Sequence, residues 1–269
     1  MKLYLNNFVL GEFNPLRAIV SSPLFSFSVG GYTIVVSNHM FMVAVAAVIL
    51  LIFLPMAVYP KRLLPKGFQN LIEFICVFLR EQVARPLLGH STDSFIYFVW
   101  TMFFLILTLN LLAMIPTEAI IYLITGKENH FGGPATANIW ITGGLAVTTF
   151  FVTHAAGIKK QGLRNYFANF APHVHWSIMP FIYFLEIISS LIRPIALAIR
   201  LFANIVAGHT LMATILGLIL VFGNYFVAAA SITMAVAMSM MELFVAFLQA
   251  YIFTLLSTLF ISFSVSQEH

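Results

Sequence analysis

Between His39 and Tyr59 the chain carries no Asp, Glu, Lys or Arg, and Pro60 closes the run. About 20 apolar residues suffice to carry a helix across the hydrocarbon core of a bilayer. A stretch of this kind either spans a membrane or is buried on every side. The rest of the chain decides between the two. Of 269 residues, 61% are hydrophobic and only 8% are Asp, Glu, Lys or Arg, where a soluble domain has about a quarter charged. Mean hydropathy is +0.99. Too little polar surface remains to clothe a water-soluble body, so the chain is read as an integral membrane protein.

Charge then gives orientation. The formal balance is +4, and the basic residues sit beside apolar runs rather than in a nucleic-acid patch. Lys61, Arg62 and Lys66 follow the first run, and Lys159, Lys160 and Arg164 follow the third. Both groups mark inside loops, because Lys and Arg are retained on the cytoplasmic side. The connection holding Glu118, Lys127 and Glu128 is nearly balanced and reads as the outer loop. The N-terminus is then outside. The single cysteine, Cys76, excludes an internal disulfide framework and a multi-cysteine metal site. Residues 1–38 lack the layout of a cleaved signal peptide.

The organisation expected is an N-terminal outer segment at 1–38, a first span at 39–60 and an inside interfacial amphipathic helix within 61–93. A second span at 94–116, an outer loop at 117–135, a third span at 136–157 and an inside loop at 158–176 follow. Residues 177–269 close the chain as a tilted helical hairpin. The interfacial assignment rests on Leu71, Ile72, Phe74, Ile75, Phe78 and Leu79 at helical spacing, interrupted by Glu73, Arg80 and Glu81. The fold class is therefore all-α membrane protein, with about five membrane helices plus the interfacial one. The last two helices are too long for an upright crossing and must be strongly tilted. Gly217, Gly223 and Asn224 offer places for the turn between them.

Ionised groups inside a bilayer cost a few kcal/mol each and persist where they pair or line water. Glu186, Arg193 and Arg200 are spaced by seven, which puts them on one helical face, with Asn204 four residues on and His209 further along. Glu242 and Gln249 are also seven apart. Two polar seams on antiparallel neighbours suit a narrow hydrated path. Arg200 has aliphatic neighbours and no acid within a turn, so an ion-path role is favoured over packing. His209 and Glu242, titratable and deep in apolar sequence, are favoured as a proton relay. Glu186 with Arg193 reads equally as an intrahelical or snorkelling pair and as part of a path. Asn204 and Gln249 read equally as helix-bonding and as path residues. Asn110, Thr153 and His154 are expected to bond helices together. His173 and His175 lie in the inside loop without a third metal ligand.

The run Arg193-Pro194-Ile195-Ala196-Leu197-Ala198-Ile199-Arg200-Leu201-Phe202-Ala203-Asn204-Ile205-Val206-Ala207-Gly208-His209 resembles the signature of subunit a of F-type ATP synthases. The stretch from Glu242 through Gln249 to Phe253 is similar to that family's final helix. The resemblance implies a stator half of a membrane proton channel, with Arg200 as the essential arginine facing the carboxylates of a rotating c-ring. Asn204 and Gln249 would be its polar neighbours, and Glu186 a channel-side acid. His209 and Glu242 match two positions that the family fills with a coupled ionisable pair in either order. Thr136-Ala137-Asn138 lacks the aspartate some relatives place there.

The implied mechanism follows from charge. A ring carboxylate facing lipid must be neutral. Facing a guanidinium, it is held as the anion. Arginine never deprotonates, so it separates two half-channels without passing the proton on. One half-channel, lined by His209, Glu242 and Gln249, would load from outside; the other would open inward near Glu186 and Arg193. The implied partners are the c-ring, peripheral stalk subunit b, other subunits of the synthase, the lipid bilayer and protons, with no nucleic acid, cofactor or metal. The chain would be non-catalytic by itself. A bacterial plasma membrane is the expected location, with a mitochondrial inner membrane as the alternative.

Two other classes remain open on sequence. A haem-bearing cytochrome needs facing histidines across spans, and only His154 and His209 of the eight lie well inside apolar segments. A secondary transporter should show repeats or broken helices, and neither is evident.

Overall fold

The computed structural model describes residues 21–29, 32–58, 67–115, 117, 121, 132–168 and 178–265. Five of its helical stretches are long and apolar enough to cross a membrane. The fold is all-α in its membrane part. His173, His175, Lys61, Arg62, Lys66 and the charged residues of the outer loop lie outside the described residues.

Two strands precede the helices, β1 (Pro23–Val29) and β2 (Tyr32–Ser37). They pair antiparallel from Val29↔Tyr32 outward, with an irregularity between Pro23 and Phe25. The N-terminal segment had no such element in its expected organisation. The signal was present as alternation in Phe25-Ser26-Phe27-Ser28, and as Gly30-Gly31, a composition favoured between hairpin strands.

Helix α1 is Asn38–Val58, and α2 is Phe68–Phe78. A π-helical turn at Leu79–Ala84, the short α3 (Arg85–Leu88) and a 3₁₀ turn at Gly89–Ser91 then lead into α4 (Thr92–Ala113). The amphipathic segment is thus joined to the next span with no loop between them. Gly89 marks the junction, its φ of 53° being one that glycine adopts without strain. A second 3₁₀ turn, Ala135–Ala137, precedes α5 (Ile139–Gln161), and α6 is Leu163–Ala168.

The two long helices are α7 (Met179–Phe222) and α8 (Tyr225–Val265). The 44 residues of α7 would extend about 66 Å at 1.5 Å per residue, against a core of about 30 Å. Steep inclination or travel beyond the core is unavoidable. The chain passes Gly217 without breaking and stops at Gly223, whose φ is 57° and whose N–H donates to the Ile219 carbonyl at 3.0 Å. That left-handed residue ends α7 in the usual way. Asn224 then caps α8, its Oδ1 accepting from the Phe226 N–H at 3.1 Å.

The chain divides into two compact units. One draws on Met1–Val45, Leu109–Asn138 and Leu201–Leu248; the other on Ala46–Thr108, Ile139–Arg200 and Gln249–His269. Within the first, α7 and α8 run antiparallel: Ser239 Oγ lies 3.9 Å from Met212 Sδ, and Glu242 faces Gly208 and His209. Ala113, Ala137 and Ile205 form one small apolar cluster in it, with Val206 against them.

Within the second unit, polar side chains join the helices where apolar attraction between spans is weak. Trp100 Nε1 donates to the Cys76 carbonyl at 3.0 Å, tying α4 to α2. His154 sits between Tyr166 (Nδ1 to phenol oxygen, 2.5 Å) and Ser190 (Nε2 to Oγ, 3.0 Å), tying α5 to α6 and α7. Ser264 donates to the Thr153 carbonyl at 2.9 Å, and Gln161 donates to the Ser264 carbonyl at 3.0 Å. Gly157 permits this closeness, because a Cβ there would collide with Ser264 and the Tyr166 ring. Burial pushes the Tyr166 phenol up from its ordinary value, so it stays a donor.

Candidate functional site

Arg200 stands at the middle of α7 and is exposed. Among the described residues it makes no ion pair. Ala196, Ala203 and Ala207, at neighbouring turns of the same helical face, are exposed as well. Asn204, one turn on, is half-buried. A cation at mid-helix with small residues on either side is a surface that admits another helix closely.

His209 and Glu242 are brought together. Nε2 of the histidine lies 3.9 Å from Oε1 of the carboxylate, and Glu242 is 6% exposed. Both atoms lack a hydrogen-bond partner among the described residues. The histidine ring also has a backbone partner in Ala113. Gly208 shapes this approach, since a Cβ on it would stand 2.9 Å from Glu242 Oε1. A separation of 3.9 Å exceeds a hydrogen bond, and such contacts commonly tighten only in the working state.

Gln249, one heptad beyond Glu242, is buried, and its Nε2 is without a partner among the described residues. Glu186 and Arg193 pair within α7 at 3.1 Å, and the Arg193 guanidinium stacks 5.6 Å above the Phe260 ring. Their pairing is the intrahelical one the seven-residue spacing allowed. It leaves Arg200, alone of the three, with no described counter-charge.

Asn110, read from sequence as a bonding residue, donates from Nδ2 to the Ala246 carbonyl at 3.4 Å and accepts from Thr136 Oγ1 at 3.4 Å. Sequence reasoning passed over His39. Its ring is 1% exposed, lies 3.4 Å from Asn138 Nδ2 through Nδ1, and leaves Nε2 buried without a partner among the described residues. A histidine in the first turn of an otherwise aliphatic span was the available signal. Both ring nitrogens of His154 are engaged by Tyr166 and Ser190, the helix-bonding role expected of it. Among the described residues no cluster of three or more His, Cys, Asp or Glu is placed to hold a metal.

Comparison with known proteins matches these features to one family. The family model described as ATP synthase A chain aligns with residues 40–262. The chain is 38% identical over 265 residues to ATP synthase subunit a of Chloroherpeton thalassium, covering 96% of this chain and 74% of that one. It is 39% identical over 237 residues to ATP synthase subunit a of an Anaeromyxobacter species, covering 87% of this chain and 55% of the relative. With ATP synthase subunit a of Chlorobium phaeobacteroides it shares 33% over 263 residues, 96% of this chain and 73% of the other. The chain thus spans about three quarters of two of these relatives and little over half of the third. Because the matched segment contains α7, α8 as far as Ser262 and every side chain of the candidate site except His39, the chain belongs to the ATP synthase A chain family.

Proposed function

We propose that the chain is the stator half of the proton path of an F-type ATP synthase. Two offset half-channels lead protons to and from c-ring carboxylates, and Arg200 prevents a short circuit between them. The observation that carries this reading is the exposure of Arg200 at the middle of a long apolar helix, without a described counter-charge. A permanent cation in hydrocarbon needs an anion or water, and this chain supplies no such anion among its described residues. A carboxylate on a neighbouring helix meets the need, and Ala203 and Ala207 leave room for that helix. Gln249, His209 and Glu242 supply the outer half-channel; Glu186 and Arg193 border the inner one. The subunit does no bond chemistry itself. It works beside peripheral stalk subunit b and the remaining subunits in a bacterial plasma membrane.

Disulfide trapping tests the rotor contact. With Cys76→Ser as background, Ala203→Cys or Ala207→Cys is paired with a cysteine on the ring helix that carries the acid. The expected product is a cross-link to the ring subunit that stops rotation and dissolves on reduction. Failure of both positions to cross-link to any ring residue in assembled complex overturns the reading.

Gly208→Ala addresses the relay pair separately. The added methyl meets Glu242 Oε1 and Cδ at 2.9 and 3.2 Å, so the carboxylate must move away from its present position beside His209. ATP-driven proton pumping in vesicles is expected to slow by about tenfold, the order lost when a proton-transfer geometry is disturbed, with complex assembly unchanged. Wild-type pumping would show that the position of Glu242 is not critical.

A further inference from the structure

His39 occupies the first turn of α1 and is held there firmly. Its neighbour Asn38 accepts from the Ser22 N–H at 3.1 Å through Oδ1, donates from its own backbone N–H to the Ser22 carbonyl at 3.0 Å, and donates from Nδ2 to the Gly132 carbonyl at 3.0 Å. The imidazole is almost fully enclosed, yet Nε2 has no partner among the described residues. A buried donor or acceptor without a partner is destabilising, a cost that a leucine at this position would avoid. Among the described residues no charged side chain pairs with this ring; its polar contact is the Asn138 amide.

From Nδ1 a line of buried polar groups leads onward inside the same compact unit. Asn138 faces His39 at 3.4 Å and its N–H closes on the Ala135 carbonyl at 3.2 Å, so it is anchored to the 3₁₀ turn that carries Thr136. Thr136 and Asn110, both 0% exposed, meet at 3.4 Å, and Asn110 reaches the Ala246 carbonyl at 3.4 Å. Ala246 is one turn beyond Glu242 on α8, and Ala113, three residues after Asn110 on α4, contacts the His209 ring. Contacts of 3.4 Å are at the long limit of hydrogen bonding.

We propose that His39 is the outermost proton-relay group of this chain, passing protons by way of Asn138, Thr136 and Asn110 toward Glu242 and His209. The proposal rests on the half-channel reading above. It also uses the orientation given by the basic residues after α1, which places the first turn of that helix on the outer side. One N–H bond forms as the proton arrives from outside, giving imidazolium. One N–H bond breaks as a water molecule beside the amides takes the proton as a third O–H bond, the ring returns to neutral, and the proton ends as the O–H of the Glu242 carboxyl. Asn138, Thr136 and Asn110 do not ionise; they orient the carriers between the two titrating sites.

The test compares His39→Gln, which keeps an acceptor for Asn138 but cannot titrate, with His39→Glu, which can. A third variant, His39→Ala, is assayed with and without imidazole on the outer side. ATP synthesis under an imposed gradient and ATP-driven pumping are measured per assembled complex across a pH series, with Glu242→Gln alongside. His39→Gln is expected to slow flux by about tenfold or more. His39→Glu is expected to retain most of the flux with an altered pH profile, and imidazole to restore part of it in His39→Ala. If His39→Gln conducts like the parent while Glu242→Gln is blocked, His39 is only a packing residue and the proposal is overturned, with the half-channels left standing. Equal impairment of the Gln and Glu variants without imidazole rescue overturns it likewise. Normal flux in Glu242→Gln removes the half-channel reading and this proposal together.

Discussion

Arg200→Ala is expected to abolish coupled ATP synthesis completely while allowing passive proton leak through the assembled complex. The barrier role depends on a charge that neither moves away nor titrates. In the proposed mechanism, a ring carboxylate arriving beside the guanidinium loses its proton to one half-channel, because the anion is stabilised there and nowhere else in the apolar surroundings. Without the cation, the carboxylate keeps or regains a proton at the boundary, and the two half-channels exchange protons across it with no rotation. Each 100 mV of membrane potential then drives about 2.3 kcal/mol per charge into heat instead of torque. Arg200→Lys is expected to fail too: an ammonium is a compact charge that shifts its protonation readily in oil, while the guanidinium stays charged. The measurements are ATP synthesis under an imposed gradient and dye-reported proton leak, both per assembled complex. Normal synthesis by Arg200→Ala vesicles would remove the arginine from the mechanism.

The long helices were legible because their signals are local and strong. Aliphatic runs with basic residues at one end specify spans. Glycine and asparagine between the two apolar runs offered places for the turn between α7 and α8. Gly217 carried no less weight on sequence, but a glycine inside a helix costs only about 1 kcal/mol relative to alanine, and the continuous apolar face of α7 outweighs that. The break needed Gly223 together with the cap at Asn224. The β1–β2 hairpin was not foreseen, since its strands are short and a composition dominated by helices overshadowed the alternation. The joining of α2 to α4 was hidden for a different reason. Glu73, Arg80 and Glu81 mark the polar side of the amphipathic segment and give no sign of where it ends; Arg80 pairs with Asp93 at 2.6 Å and Arg85 with Glu81 across the junction. Charges that satisfy one another along the helical stretch need no loop to reach water.

The site shows the same division. Seven-residue spacing was enough to put Glu186 beside Arg193, since both lie on one helix. It gave no distance between His209 and Glu242, which are 33 residues apart in number and meet only through the antiparallel course of α7 and α8. His39 and Asn138 were invisible as a pair for the same reason: their contact spans 99 positions. No periodicity reports a contact made by the packing of separate elements.

The His209–Glu242 pair supports the second large effect. Glu242→Gln and His209→Ala are each expected to slow proton flux by about two to three orders of magnitude, the range typical for loss of a positioned acid or base. The pH dependence of flux should change in both, because each variant leaves one titrating group where the parent has two. Since the two side chains face each other at 3.9 Å with few other partners, their effects should not add. The double variant is expected to be scarcely slower than the worse single one, as for groups acting as a unit. Exchanging the residues, His209→Glu with Glu242→His, preserves an acid and an imidazole at the same meeting point. It should therefore outperform either single variant, unless the histidine ring cannot pass Gly208, in which case the deficit should be greater still when Gly208→Ala is added. Full additivity of the single effects, measured as flux per assembled complex, would mean that the two residues act at separate points of the path. Unchanged flux in both single variants would reduce the pair to helix packing.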